Sequence, residues 1–461
     1  MPDQIFTEPG SFRDHSGYVF YRNNKVYRRI NLSYQREYDH LISSGLYNVL
    51  IRESLLIPHE EVDVQQFPSI TDSYKIIRPQ PIPFISYPYE WCFEQLKEAA
   101  LLTLRIQKIA LDHGMILKDA SAYNIQFQGT QPLFIDTLSF AIYEEGNPWA
   151  AYRQFCQHFL AVLALMKYKD SRMSFLLQSS IDGIPLDLAS RLLPLRTKWN
   201  FSILTHIHLQ AKSIKKYETL GNKTTRQVKI SKTSLLALID HLGSSVKALT
   251  YGHVKSQWSN YYDITNYTED GILHKEEIVK EFIQDIPANL AWDIGANNGR
   301  FSRILSEKGI YTVSADLDHE AVQRNFLFSR TQGTLNLLPL VLDITNPSPA
   351  LGWRNNERKQ WNNRQKPDIM IALALIHHLC FSHNIGFDSI SSYFSGLCKR
   401  LIIEFVPAED SQVAFLPKPN AEIANDYSHN NFEQEFLKYF DLEKRATVKG
   451  SKREIYLLRS K

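Results

Sequence analysis

The sequence predicts an α/β protein in two parts. Residues 249–461 read as a doubly wound, mostly parallel sheet closed by an antiparallel hairpin. Residues 1–211 read as a bilobal α+β domain, and residues 212–248 as a linker and bridging helix. Three observations predict this. From residue 290 onward short apolar runs alternate with helix-patterned stretches, as in parallel sheets with crossover helices. A glycine turn, Asp293-Ile294-Gly295-Ala296-Asn297-Asn298-Gly299, joins the first of these runs to a helix. A chain of 461 residues, 44% hydrophobic, exceeds one ordinary domain and suffices for sizeable cores.

The later elements follow in order. Leu290-Ala291-Trp292-Asp293 is the first strand. Tyr311 to Asp318 is a second strand ending in acid, and Leu337 to Asp343 a third with the same ending. Pro367 to Ala374 is a buried fourth strand that runs into His377-His378. Lys399 to Pro407 is the fifth, and Leu442–Val448 with Arg453–Leu458 forms the closing hairpin around Gly450. In such sheets the ligand lies at the strand C-termini. A carboxylate two residues before Gly295 suits an ammonium group better than a pyrophosphate. An acid about 20 positions past a glycine turn is placed to hold a ribose diol.

This order of motifs resembles the class I S-adenosylmethionine-dependent methyltransferases, with D-x-G-x-x-x-G as motif I and a Rossmann-like sheet. The resemblance implies S-adenosyl-L-methionine as cofactor. It implies a cofactor cleft formed by Asp293, Gly295, Asn297 and Gly299, by Asp316 with Leu317, by Asp343 (at the adenine) with Ile344, and by Ala374. His377 and His378, at the end of the fourth strand, are the candidate bases, with His377 favoured. Glu404, at the end of the fifth strand, is expected on the active-site rim. Trp258 and Tyr262, in the aromatic segment before motif I, are candidates for the substrate wall. A nicotinamide dehydrogenase would require G-x-G-x-x-G, and Ala296-Asn297 stands where x-Gly would be.

The first half carries a second signal. Val19–Arg22 and Lys25–Ile30 flank Asn23-Asn24 as a hairpin, Ser33 to Ile51 reads as a helix capped by Ser33, and Phe93 to Asp112 as a long helix. Asp119 and Asn124 then stand five apart in a loop before a short strand, and Asp136 follows twelve residues past Asn124. This resembles the D-x-x-x-x-N loop and metal-binding Asp of the protein kinase and aminoglycoside phosphotransferase fold. The resemblance implies Mg-ATP as a ligand only if this lobe is active. No glycine-rich loop is present, Leu117 stands where that loop usually begins with His, and Thr-Leu-Ser follows Asp136. Arg28 or Arg29 paired with Glu37 is the expected stand-in for the missing lysine–glutamate pair. His206 and His208 are expected on a helix surface rather than as metal ligands.

Composition narrows the function classes. Net charge is +3, with 52 basic and 49 acidic residues, which gives no electrostatic case for nucleic acid. Four scattered cysteines without C-x-x-C speak against a disulfide framework or zinc site, and fit a reducing cytoplasm. The polar N-terminus lacks a signal peptide's apolar core, and no apolar run is long enough to span a bilayer. The N/D-P-P-Y signature of amide and adenine methylation is missing, since Ala372-Leu373-Ala374-Leu375 occupies its place. An oxygen on a small molecule or glycan is therefore the expected acceptor. The tandem arrangement also resembles bacterial proteins of nodulation-factor and surface-glycan tailoring. Three readings remain open: a methyltransferase whose kinase-like lobe helps hold substrate, a bifunctional kinase–methyltransferase, and a non-catalytic binding protein. The oligomeric state is not legible.

Overall fold

A computed structural model describes residues 5–213, 229–252 and 269–461. The N-terminal half opens with an antiparallel sheet of β1 (Ile5–Thr7), β2 (Gly17–Arg22), β3 (Lys25–Asn31), β4 (His59–Val62) and β5 (Ser73–Pro79), in the order β1-β2-β3-β5-β4. The β2–β3 turn is tight because Asn23 and Asn24 both take positive φ, 52° and 59°. The helix expected over 33–51 is two helices, Gln35–Ser43 and Leu46–Arg52. Gly45, at φ 78°, breaks them apart, and Ser33 donates to the His15 carbonyl instead of capping.

A connecting segment leads to the long helix Phe93–Asp112, which matches its expected bounds. Then come β6 (Met115–Leu117), β7 (Ile125–Gln128), β8 (Gln131–Phe134) and β9 (Phe140–Ile142), paired as β6–β9 and β7–β8. The loop with Asp119 and Asn124 precedes β7, and Asp136 follows β8. This is the kinase-like order that the sequence resembles. His206 and His208 are buried rather than on a surface. His206 bonds Tyr152 and His241, and His208 bonds Ser190 and Thr197, so protein groups satisfy these imidazoles.

The C-terminal half is a seven-stranded sheet of β10 (Leu290–Ile294), β11 (Tyr311–Asp316), β12 (Leu337–Val341), β13 (Ile369–Ala372), β14 (Arg400–Phe405), β15 (Phe440–Thr447) and β16 (Glu454–Ser460). Their order is β12-β11-β10-β13-β14-β16-β15. The first five strands are parallel, and β16 inserts antiparallel between β14 and β15. That is the doubly wound sheet with a closing hairpin expected above, and its strand order is that of class I methyltransferases. β10, β12 and β13 are buried throughout because helices or the other half cover both faces.

One face of this sheet is unusual. The connection from β12 to β13, residues 342–368, holds only two short 3-10 turns, Trp353–Asn355 and Trp361–Asn363, where a crossover helix is the norm. The N-terminal half fills the gap. Phe84 packs edge-on to Trp292 of β10 at 5.9 Å and against Trp361 at 5.1 Å. Arg364 forms a bidentate pair with Glu90 at 2.7 and 2.8 Å, with both side chains 1% exposed. Gln95 donates to the Pro339 carbonyl on edge strand β12, at 3.0 Å, which occupies an acceptor that an uncovered edge would offer to another chain. One apolar core therefore runs from Leu96 and Phe127 through Val313 and Leu340. The helix Lys232–Ala248 packs on helix Phe93–Asp112, with Lys108 paired to Asp240.

Candidate active site

The glycine turn is built by backbone geometry that only a few residue types tolerate. Gly295 and Gly299 have φ of 75° and 77°, and Asn297 lies between them at 49°. The N–H groups of Gly295 and Ala296 donate to the Ala315 carbonyl, and the Asn297 N–H donates to Asp316 Oδ2 at 2.7 Å. These bonds tie the turn after β10 to the end of β11. A Cβ on Gly299 would sit 2.3–2.5 Å from the Asn325 side chain. Gly299 thus serves close packing at the start of helix Arg300–Glu307. It does not line the ligand cavity, so its place in the expected cofactor cleft is corrected.

That cavity, about 510 Å³, opens at the C-terminal ends of β10 to β13. Its volume lies in the range of small-molecule and cofactor sites. Asp293, Gly295, Asn297, Asp316, Leu317, Asp343, Ile344 and Ala374 all line it. Asp293 is 3% exposed and accepts from the Ser302 hydroxyl at 2.6 Å, and that hydroxyl is also hydrogen-bonded to the Ser314 hydroxyl at 2.7 Å. Asp316 accepts from the backbone of Asn297 and Asp318, and Asp343 from the backbone and hydroxyl of Thr345. Burial pushes the carboxyls of Asp293 and Asp316 up to about 6 from the ordinary 3.8. Two acids held at one cavity wall favour a ligand that carries positive charge and hydroxyls.

The far wall corrects two expectations. His378 lines the cavity, whereas His377 is fully buried, does not reach it, and has no hydrogen-bond partner on either ring nitrogen. Burial, with His383 next, lowers the His378 imidazole to about 4, so it is neutral at neutral pH. Glu404 is not on the rim. It is wholly buried and accepts from Lys275 Nζ and from the Ala374 N–H, both at 2.6 Å, and Arg453 lies 3.8 Å away. The bond to Ala374 helps hold that residue at a positive φ of 51° where β13 turns into the cavity. Trp258 and Tyr262 lie outside the described residues.

Sequence reasoning missed several lining residues. Lys275 stands 3% exposed over the Phe301 ring and reaches the cavity. Asp170, Ser171 and Arg172 line it from the N-terminal half, Tyr251 from the segment between the halves, and His319 from the turn after β11. No local pattern marks residues 170–172, because only tertiary packing brings them there.

In the kinase-like half, Asn124 and Asp136 meet at Ser139, and Asp119 lies beside Asn124. Asn124 donates to the Ser139 hydroxyl at 3.1 Å, and that hydroxyl donates to Asp136 Oδ2 at 2.7 Å. Burial, with Asp136 nearby, raises the Asp119 carboxyl. Arg28 does not pair with Glu37. Its guanidinium bridges Asp136 at 2.5 Å and Asp14 at 2.6 Å, while Arg29 bonds the Asp72 carbonyl. The expected Arg28/Arg29–Glu37 pair is therefore replaced by an Asp14–Arg28–Asp136 bridge.

No protein-family model matches the chain. Among solved structures, the N-methyltransferase NodS from Bradyrhizobium japonicum WM9 aligns over 42% of this chain and 97% of its own, at 9% identity and a TM-score of 0.30. The bifunctional kinase-methyltransferase WbdD aligns over 41% of this chain and 38% of its own, at 17% identity and a TM-score of 0.27. At these TM-scores the fold rests on strand order and not on superposition. Among the described residues, no helix is long and apolar enough to cross a membrane. The nodulation protein NoeA of Rhizobium meliloti (strain 1021) is 32% identical over 455 residues, which are 97% of this chain and 94% of that protein. With its class I methyltransferase sheet and kinase-like N-terminal part, the chain belongs to the family of NoeA.

Proposed function

We propose that this protein is an S-adenosylmethionine-dependent methyltransferase that methylates a hydroxyl oxygen of a small molecule or glycan. One observation carries the reading: Asp293, Gly295, Asp316 and Asp343 converge on a single cavity at the strand C-termini. The donor set fits the cofactor. It offers buried carboxylates for an ammonium and a diol, and Asp293 near the end of β10, two residues before Gly295, stands where a phosphate ligand would be repelled. When bound, S-adenosylmethionine supplies a methyl carbon activated by the adjacent sulfonium. The protein's part is alignment and proton removal. Asp293 and Asp316 bind and orient, Ala374 and Leu375 shape the floor, and His378 accepts the acceptor's hydroxyl proton on its unprotonated ring nitrogen. The weak basicity of His378 suffices if the proton leaves late, once the oxygen–carbon bond is forming. The missing N/D-P-P-Y signature, with Ala372-Leu373-Ala374-Leu375 in its place, supports an oxygen acceptor.

In this reading the kinase-like half helps hold substrate and does not transfer phosphate. The Asp14–Arg28–Asp136 bridge supports that role, since magnesium at Asp136 would have to displace a guanidinium. The assembled Asp119, Asn124 and Asp136 favour the bifunctional alternative. Calorimetry separates them. Binding of S-adenosylmethionine without Mg-ATP supports the first reading, and saturable Mg-ATP binding abolished by Asp136→Ala supports the second. Methyl transfer from labelled cofactor to hydroxylated acceptors tests the acceptor class, and labelling of amines alone would contradict it.

A further inference from the structure

We propose that the cofactor cavity is composite. The segment Asp170–Phe175 of the kinase-like half closes its β11 end, and His319 there is a ligand-contacting residue that hydrogen-bonds the nucleoside portion of the cofactor. The proposal rests on the methyltransferase reading. His319 lines the cavity, is 6% exposed, and has no hydrogen-bond partner on either ring nitrogen. A buried imidazole left unpaired is costly, so the site is complete only when a ligand meets it. Burial lowers its pKa to about 4, so the ring is neutral, with one donor and one acceptor nitrogen. Ribose hydroxyls and purine edges offer matching partners, and His319 stands three residues beyond Asp316, the acid placed for a ribose diol.

The N-terminal half holds this ring in place. Phe175 packs edge-on to His319, with centroids 5.5 Å apart. Asp170 accepts from the Arg172 backbone N–H at 2.9 Å and grips its guanidinium at 2.9 and 2.7 Å, fixing Asp170, Ser171 and Arg172 on the cavity wall. Tyr251 completes this end and packs on Phe93 of the long helix at 5.8 Å. The methyltransferase cavity thus has a wall that its own half does not supply. This gives the kinase-like half a use that requires no phosphate chemistry.

The test is calorimetric titration of the full chain with S-adenosylmethionine and with 5′-methylthioadenosine, a nucleoside fragment lacking the amino acid. His319→Ala is expected to weaken both about tenfold, as for loss of one buried hydrogen bond, and His319→Gln to recover most of the loss. The double variant Asp170→Ala/Arg172→Ala is expected to weaken both severalfold at an unchanged unfolding midpoint. Should His319→Ala not fold, His319→Phe fills the same space against Phe175 and is expected to show the same loss. Wild-type affinity in these variants overturns the proposal and leaves the methyltransferase reading standing. A wild-type chain that binds neither compound overturns both.

Discussion

The carboxyls of Asp293 and Asp316 set the pH behaviour of the site. Both titrate near about 6 when folded, above the ordinary 3.8. The native state therefore keeps protons that the unfolded chain has already released, and the stability these groups contribute is lost as pH rises from about 4 through about 6. A cationic ligand prefers the ionised acids. Affinity for S-adenosylmethionine should thus climb between pH 5 and pH 7 and level off above, with proton release on binding near pH 6. Calorimetry in buffers of different ionisation heat reads this directly, and a flat profile contradicts it. His378→Ala should lower kcat about a hundredfold with little change in cofactor affinity, as for loss of a positioned base. His377→Ala, outside the cavity lining although its ring centroid lies 4.2 Å from that of His378, should act chiefly on stability. Gly295→Leu should remove binding, since φ of 75° disfavours any side chain and a leucine there would enter the cavity that Gly295 lines.

Elements hold these residues in place, and the sequence revealed them unevenly. The strands β10 to β14 and the helix Phe93–Asp112 were legible because apolar runs and helical periodicity are local signals. The acids at the strand ends were legible because the glycine turn fixes a register from which they can be counted. Glu404 was misplaced because a strand-end acid looks the same whether it faces solvent or a buried lysine. Its partner Lys275 lies on a helix 129 residues away, and the sequence does not encode that separation locally. His377 was favoured over His378, and the helix Ile376–His383 reverses that order by turning His378 to the cavity. Glu404→Gln would leave the buried Lys275 ammonium facing a neutral amide, while Arg453 keeps its pair with Asp410. It should destabilise the fold by about 3–5 kcal/mol, as for a broken buried ion pair, measured by denaturant unfolding. Gly299→Ala should cost about 1–3 kcal/mol through a strained φ and a clash with Asn325.

At the scale of the whole molecule, the kinase-like half takes the place of a crossover helix on the methyltransferase sheet. Such a shared core should unfold as one unit. Calorimetry should show a single transition, and Glu90→Gln, which leaves Arg364 buried without its anion, should lower that one midpoint and not split it. Residues 249–461 alone would expose Trp292, Leu338 and Leu340 and should aggregate, whereas two independent transitions would show separable domains. This dependence was invisible in sequence, because the missing helix shows only as a loop of ordinary composition. The proposed function depends first on binding of S-adenosylmethionine through Asp293 in the cavity at the ends of β10 to β13. Titration of the full chain and of Asp293→Asn with that cofactor tests it most directly. Saturable one-to-one binding by the wild type and a loss of at least tenfold in the variant are expected, as for a charged hydrogen bond removed. Equal affinity in both chains, or no binding by the wild type, would contradict it.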